Sequence, residues 1–339
     1  MRFKANSKVN CGQQNSVMVE APITRNARVP RQLSWHGGVG YAPNWVSFGL
    51  CLWLTTSCGC GLTKCWKEGC EAVADCRELS QQGVEALERE DWQTAESSFS
   101  QAIQICPIDP IARRNYCEVL WKRGDRPAAL NQLHEAIALR SSDPALHLRL
   151  AELSLEMADY DTCYREVNEA IDLEPTLAEA WLLRGKLMWR SGRLNQSMTD
   201  LHRALKYDPE QRDTLYLLAE VHRGLNQPQQ ALNVLYQLAE IYPPGNEPQE
   251  VLYLTGLAYM ALERYSEAQS TFTLAARRGP ESAELLYHLA ESQLRCGRPD
   301  IARQSILRAL EIAPQHNPSQ QMQQEIDLAL QTPPGAIRR

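Results

Sequence analysis

Apolar and small residues recur along residues 76–316 with a period of 34, and their spacing within each period predicts a pair of helices. Two segments make the period visible, since Gly83–Pro107 and Gly256–Pro280 carry Gly, Ala, Phe, Ala and Pro at the same offsets. Counting in 34s gives blocks that begin at residues 76, 110, 144, 178 and 212 and, after three extra residues at 246–248, at 249 and 283. We therefore predict seven copies of one helix–turn–helix unit.

Three positions of each block carry the pattern. The twentieth is small in every block: Ala95, Ala129, Cys163, Ser197, Ala231, Ala268 and Ala302. The twenty-fourth is larger and apolar: Phe99, Leu133, Val167, Leu201, Leu235, Phe272 and Ile306. Proline closes six of the seven blocks, with Ser141 as the exception: Pro107, Pro175, Pro209, Pro243, Pro280 and Pro314. The first two positions share one helical face, where the small residue lets two helices approach, and proline ends the second helix.

These landmarks resemble those of the tetratricopeptide repeat (TPR) family over the blocks 76–109, 110–143, 144–177, 178–211, 212–245, 249–282 and 283–316. The resemblance implies an all-α fold, a right-handed superhelix whose concave wall is lined by the first helix of each pair. Each unit would cover the apolar face of its neighbour. We expect residues 317–339 to supply a capping helix and a loose tail.

In this family the ninth position of the first helix faces the concave side. Here that column reads Val84, Glu118, Glu152, Lys186, Glu220, Leu257 and Glu291. Chaperone-binding members hold a terminal carboxylate with Lys and Asn at this place, and Glu would repel that ligand. We expect instead a groove for a protein or peptide segment that carries Lys or Arg, with aromatic anchors on or beside the wall. The candidate groove residues are Glu118, Trp121, Glu152, Trp189, Tyr216, Glu220, Tyr253, Tyr287 and Glu291.

The same carboxylates also allow an ordinary structural interpretation. Glu118 with Lys122, and Glu291 with Arg295, have the spacing of ion pairs on a helix surface, worth a few tenths of a kcal/mol each.

We interpret the N-terminal residues 1–57 as a targeting signal. Six basic residues and one acidic residue occupy positions 1–44, and an uncharged apolar stretch follows at 45–57. It is shorter than the roughly 20 residues that span a bilayer and fits the core of a secretory signal, with Met18 as a possible internal start. The letters before Cys58 resemble a bacterial lipoprotein box, although Leu54 is one place too far away. We expect an exported protein of the cell envelope, lipid-tethered through Cys58 or periplasmic, and a cytoplasmic one if this interpretation is wrong.

Five cysteines lie within residues 58–76. We describe residues 58–75 as a Cys-rich tether, and Cys76 begins the first repeat block. Disulfides or unpaired thiols are the expected state, because no C-x-x-C knuckle brings two sulfurs onto one turn. The weaker alternative is a metal site made by Cys60, Cys65, Cys70 and Cys76.

No catalytic motif is present, so we expect no enzyme activity and no cofactor. From Cys58 onward there are 29 basic and 40 acidic residues, which argues against nucleic acid as a partner. Two function classes remain. The first is a non-catalytic scaffold similar to the small TPR lipoproteins of pilus biogenesis and outer-membrane construction. The second is a metal- or thiol-bearing protein in which the array recruits a client.

Overall fold

The structure is a computed structural model that describes the backbone of residues 59–331 and the side chains of residues 73–331. The leader, Cys58 and the tail after residue 331 lie outside the described residues. The chain divides into two units, Met1–Thr63 and Lys64–Arg339, and the repeats belong to the second. Between residues 59 and 331 the secondary structure is entirely helical, as the resemblance predicted.

Fifteen helices follow one another in the described residues. They are α1 (Gly59–Glu88), α2 (Trp92–Ile105), α3 (Pro110–Arg123), α4 (Arg126–Leu139), α5 (Pro144–Glu156), α6 (Tyr160–Leu173), α7 (Ala178–Arg190), α8 (Leu194–Tyr207), α9 (Arg212–Gly224), α10 (Pro228–Glu240), α11 (Gln249–Ala261), α12 (Tyr265–Arg278), α13 (Ala283–Arg295), α14 (Pro299–Ile312) and α15 (Asn317–Gln331). Odd-numbered helices up to α13 are the first helices of the repeats, and even-numbered helices are the second. The Cys-rich segment that the sequence sets apart is, from Gly59, the beginning of α1.

Aspartate and proline fix where several helices begin. The carboxylate of Asp109 accepts the backbone N–H groups of Ile111 and Ala112, and Pro110 occupies the first helical position of α3. Asp143 caps α5 in the same way. Because the first N–H groups of a helix have no partner inside it, the carboxylate supplies one, and proline has no N–H to satisfy.

Residue size is matched across the two helices of a repeat. A Cβ placed on Gly83 would lie 2.7 Å from Cζ of Phe99, and one on Gly256 would collide with the ring of Phe272. Four of the five repeats with a smaller residue at the twenty-fourth position have a larger one at the eighth, and Gly185 is the exception, because a Cβ there would lie 2.8 Å from Cδ2 of Leu201. The remaining pairs are Cys117 with Leu133, Ala151 with Val167, Gly185 with Leu201, Ala219 with Leu235 and Ala290 with Ile306. Both members of every one of these pairs are buried, so each repeat divides one volume between two helices.

A hydrogen bond also ties several repeats to the one before. The fourth residue of the first helix donates to the carbonyl oxygen at the thirty-second position of the preceding block. Trp181 Nε1 lies 2.9 Å from the oxygen of Pro175, and Gln320 of α15 extends the pattern to Pro314 at 2.7 Å. Where proline is replaced by Ser141, Nε2 of His147 lies 3.0 Å from its carbonyl oxygen.

The first helices form one continuous wall. From α5 to α13, each first helix directly contacts the first helix of the next repeat, and α13 contacts the capping helix α15. Successive second helices make no contact of that extent within residues 59–331. The first helices are therefore the closer-packed side of the stack, which is the side that the resemblance assigns to the concave wall.

The three extra residues at 246–248 form part of the loop between α10 and α11. There Gly245 takes a left-handed backbone conformation, and its N–H donates to the carboxylate of Glu247. Arg278 of α12 lies within 3.8 Å of that carboxylate. None of the helices from 59 to 331 combines the length and the low polarity that crossing a bilayer requires.

Candidate functional site

Glu118 and Glu152 lie on the wall but are both bound by one arginine. The guanidinium of Arg149 donates to Glu118 at 2.6 and 2.5 Å and to Glu152 at 2.8 Å. Burial alone would lower the pKa of Arg149, but the hydrogen bonds to both carboxylates outweigh it and raise the pKa. The observed partner of Glu118 is thus Arg149 of the next repeat, not Lys122 on its own helix. One arginine thus binds both carboxylates within the array, and the three groups together keep a net charge of about −1.

Trp121 is also committed to a neighbour. Its Nε1 donates to Glu156 of α5 at 3.1 Å, and the guanidinium carbon of Arg126 lies 5.4 Å from its ring centroid. The ring therefore joins α3 to α5 and has an arginine over it.

Further along the wall, the structure brings Trp189, Tyr216 and Glu220 into one open cleft of about 450 Å³ between α7 and α9. Lys186 and Asp213 line the same cleft, and their charged atoms are 3.7 Å apart. Trp189 is 39% exposed, so a large part of its indole ring faces solvent. This cleft contains aromatic surface and charge together.

Glu220 has a partner on its own helix. Arg223 donates to its carboxylate at 2.9 and 2.7 Å, and the arginine side chain is 53% exposed. The exposed arginine can turn away from Glu220, whose side chain is 14% exposed, when a third charge approaches.

Tyr253 lines a second cleft of about 200 Å³ between α11 and α13, together with Glu250 and Glu284. Tyr287 lies one repeat further on, 4.9 Å from the ring of His288 and 6.0 Å from the ring of His316. The rings of Tyr253 and His288 are 5.9 Å apart. The two tyrosines are thus joined through one histidine.

Glu291 lies on the inner side of this ring group. Its carboxylate is 3.5 Å from Nδ1 of His288, which makes no hydrogen bond in the structure. Nε2 of His288 lies 3.4 Å from Glu284, and Nε2 of His316 lies 3.1 Å from the same carboxylate. The expected pairing of Glu291 with Arg295 is not among the ion pairs of the described residues; the carboxylates here face histidines.

Burial and nearby carboxylates both raise the pKa of tyrosines on this part of the wall. Burial raises the pKa of Tyr253 to about 12, and the negative charge of Glu284 adds to the effect. Burial and then Glu220 and Glu250 raise the pKa of Tyr216. Burial is the larger cause for both tyrosines, and the smaller contribution of the carboxylates indicates nearby negative charge, which favours cations at the same place.

The sequence interpretation missed a column of carboxylates at the second position of the first helices. In the last four repeats this position is acidic throughout: Glu179, Asp213, Glu250 and Glu284. All four line open clefts on the wall. This column is visible when the blocks are aligned, whereas the resemblance to the family pointed to the ninth position.

These carboxylates also have a local structural role. Helices α7, α9 and α11 lack a side-chain cap at Leu177, Gln211 and Pro248. An acidic residue in the first turn favours the positive end of the helix dipole and partly replaces that cap.

The cysteines divide differently from the predicted cluster. The thiol of Cys76 is buried beside Ala102, and burial and then a hydrogen bond with Cys106 raise its pKa to about 11. Cys106 comes from the end of α2, outside the predicted cluster. The side chains of Cys60, Cys65 and Cys70 lie outside the described residues. Within residues 73–331, no group of three or more His, Cys, Asp or Glu side chains is arranged to hold a metal ion.

The comparisons with known proteins agree on the repeat. The tetratricopeptide repeat profile matches residues 182–246 and 253–317, and a second tetratricopeptide profile matches residues 110–135. Tetratricopeptide repeat protein 37 of Xenopus laevis is 28% identical over 144 residues. That match covers 40% of this chain but only 9% of the Xenopus protein, so the chain corresponds to a small part of its length.

Solved structures show the same fold. A tetratricopeptide repeat protein from Parabacteroides merdae superposes with a TM-score of 0.54 at 14% identity, covering 75% of this chain and 99% of its own. YrrB, a TPR protein described as having an unusual peptide-binding site, gives 0.51 at 20% identity, covering 57% and 97%. A chain of the APC/C Cut9–Hcn1 hetero-tetramer gives 0.56 at 13% identity, covering 72% and 51%.

Proteins built from this repeat are generally non-catalytic scaffolds for protein–protein interaction. The profile matches, the 34-residue period and the stacked helix pairs together identify this chain as a tetratricopeptide repeat protein.

Proposed function

We propose that this chain is a non-catalytic scaffold that holds a basic polypeptide segment against the first helices of repeats 4–7. The partner would lie along the clefts between α7 and α13, where aromatic rings and carboxylates face solvent. No reaction is required of the scaffold; its function is to hold one polypeptide in place.

The observation that carries the proposal is that two carboxylates on the wall have no arginine or lysine partner. Glu250 and Glu284 line an open cleft, and neither has an arginine or lysine within ion-pair distance among the described residues. A lysine or arginine of the partner would supply the missing positive charge. Glu118 already accepts two hydrogen bonds from Arg149 and would gain little from such a partner.

A fold relative lends support of a general kind. YrrB, which shares this fold, is described as a TPR protein with an unusual peptide-binding site. For this chain, the exposed Trp189 and half-buried Tyr216 provide the apolar area that an interface needs at its centre.

The test compares two charged peptides and two pairs of substitutions. Labelled octalysine should bind the full-length protein, with an affinity that falls as salt is raised, and octaglutamate should not. The variant Glu250→Gln with Glu284→Gln should weaken octalysine binding about tenfold, as measured by fluorescence anisotropy. The matched control, Glu118→Gln with Glu135→Gln, removes two carboxylates that Arg149 and Arg113 already bind and should leave the affinity unchanged. Equal losses in the two double variants would contradict the assignment to repeats 4–7.

We also propose that the scaffold is exported and held at the cell envelope by a lipid on Cys58. The supporting observation is the uncharged stretch 45–57, which follows a basic lead and precedes Cys58. Intact-mass analysis of the membrane fraction should show a chain that begins at Cys58 and carries a diacylglycerol group. Cys58→Ser should remove that added mass, whereas a full-length chain in the soluble fraction would contradict the proposal.

A further inference from the structure

Three successive repeats place a carboxylate and a tyrosine one turn apart on the same face of the first helix. The pairs are Asp213 with Tyr216, Glu250 with Tyr253 and Glu284 with Tyr287. Residues three apart on a helix are neighbours on its surface. Earlier repeats have other residues at these two positions: Ile111 with Arg114, Ala145 with Leu148 and Glu179 with Leu182. We call the three pairs of repeats 5–7 the tyrosine–carboxylate row.

The carboxylates of the row are exposed to solvent, and the tyrosines are half-buried. Glu250 has no basic side chain within ion-pair distance among residues 73–331, and Asp213 meets only Lys186, at 3.7 Å. The third carboxylate faces two histidines, as described above. One arginine lies beside the row, but it is already bound to Glu220. Each pair therefore leaves a carboxylate and part of an aromatic ring accessible.

A carboxylate next to an aromatic ring is a receptor for a cationic side chain. The carboxylate attracts the charge, and the ring face attracts it through its quadrupole. Tyrosine rings of this chain already accept arginine in this way, since the guanidinium carbon of Arg264 lies 4.7 Å from the ring centroid of Tyr259. Arg212 approaches Tyr242 at 4.8 Å. In the row, no lysine or arginine of the described structure lies over a ring of Tyr216, Tyr253 or Tyr287.

The spacing of the row sets the spacing of its ligand. Helices α9, α11 and α13 contact one another in succession, and packed helices lie about 8–10 Å apart. A polyproline II segment advances about 3.1 Å per residue with three residues per turn, so every third side chain returns to the same side after about 9.3 Å. That repeat matches the distance between packed helices. A fully extended strand returns a side chain to the same face every second residue, after about 6.4–6.8 Å, which is shorter than the distance between packed helices.

We infer that the partner of the row is a polyproline II segment with a lysine or arginine at every third residue, one for each of repeats 5, 6 and 7. The inference rests on the proposed function and sharpens it from a basic segment to a basic segment of defined period. It assigns Tyr216, Tyr253 and Tyr287 as the ring partners of three successive cations.

The experiment compares two peptides of the same composition. One is Lys-Pro-Pro written three times, and the other is Lys-Lys-Lys followed by six prolines. Both have the same composition, charge and length, and both are rich in the proline that favours polyproline II, so the main difference is the spacing of the lysines. With the full-length protein at constant ionic strength, we expect the spaced peptide to bind about tenfold more tightly in fluorescence anisotropy, because it reaches three ring–carboxylate pairs at once.

Single substitutions then locate the site. Glu250→Gln is close in size to the native residue, lies on the solvent side of α11 and should weaken the spaced peptide several-fold with little effect on the clustered one. Glu118→Gln is the matched control, because that carboxylate is already bound by Arg149, and it should change neither affinity. Circular dichroism melts verify that each variant is folded.

The outcomes separate the two proposals. Equal affinity for the two peptides, or a spaced peptide insensitive to Glu250→Gln, would overturn the row while leaving a basic-segment scaffold in place. Absence of binding by both peptides and by octalysine would overturn the proposed function together with the row.

Discussion

The two ends of the wall use the same residue types in opposite ways. In repeats 2 and 3, Glu118 and Glu152 are bound by Arg149, and Trp121 donates to Glu156. In repeats 5–7, Glu250 faces solvent beside a half-buried tyrosine. Acidic residues facing inward are thus not evidence of a binding surface by themselves. What distinguishes Glu118 and Glu152 from Glu250 is that an arginine of the array binds the first two and no basic side chain of the described residues pairs with the third.

The largest effect that tests this difference is on stability. Arg149→Gln should lower the free energy of unfolding by about 1.5–3 kcal/mol, because two partly buried carboxylates lose a charged hydrogen-bond donor. Arg223→Gln, which breaks an exposed pair within one turn of α9, should cost at most about 1 kcal/mol. Thermal unfolding of the two variants side by side measures both. Similar losses in the two would mean that the wall is uniform.

The next effect concerns the residues that support the second end. Gly256→Ala should push the ring of Phe272, on which Tyr253 packs at 6.0 Å, and overpacking costs about 1–3 kcal/mol. The gain in helix propensity is at most about 1 kcal/mol. The net change should therefore destabilise the fold.

A second substitution provides the control for that prediction. Adding Phe272→Leu to Gly256→Ala recreates the Ala219 and Leu235 pair of repeat 5, so the double variant should recover part of the loss. A double-mutant cycle measured by thermal unfolding checks this. Additive effects would show that the two positions do not share a volume.

At high pH, repeats 2 and 3 should lose stability because each contains a buried thiol. Burial raises the pKa of Cys117 to about 12 and that of Cys163 to about 12, from 9.0. Because the unfolded chain loses these protons first, stability is full below pH 9 and falls as the pH rises towards 12. Cys117→Ala with Cys163→Ala should reduce this alkaline loss in urea unfolding curves. An unchanged loss would place its origin elsewhere.

The smallest effect is electrostatic and belongs to the second end. Glu284→Gln removes a negative charge beside Tyr253, so the pKa of that phenol should fall from about 12 towards its ordinary value. Ultraviolet titration of the variant, corrected with Tyr253→Phe, measures the change. Glu118→Gln should leave this titration unchanged, and a shift of equal size in both would indicate a general change of net charge.

The helix pairs were predictable because each landmark reflects local chemistry. Phe99 and Phe272 lie opposite glycines for a reason of volume, and the proline column stops a helix wherever it occurs. The capping helix followed from a modest apolar stripe that includes Met322 and Ile326, both buried. These inferences need only the sequence and the period.

The state of the candidate site needed coordinates. Glu118 is among the groove residues predicted from the sequence, and Glu250 is not. In the structure, however, only Glu250 is open to a ligand. Arg149 is 31 residues from Glu118, and a spacing of that kind predicts no contact until the stacking of the repeats is known. The approach of Cys76 to Cys106 was unforeseen for the same reason.

The matching of Gly256 to Phe272 has a consequence for how such a gene can change. Exchange of a whole 34-residue copy transfers both partners together and keeps their combined volume. A crossover between the two helices would join Ala219 to a phenylalanine, or a glycine to Val167, and leave a collision or a void. Recombination among the copies should therefore be tolerated at the loops that separate repeats and selected against at the turns inside them.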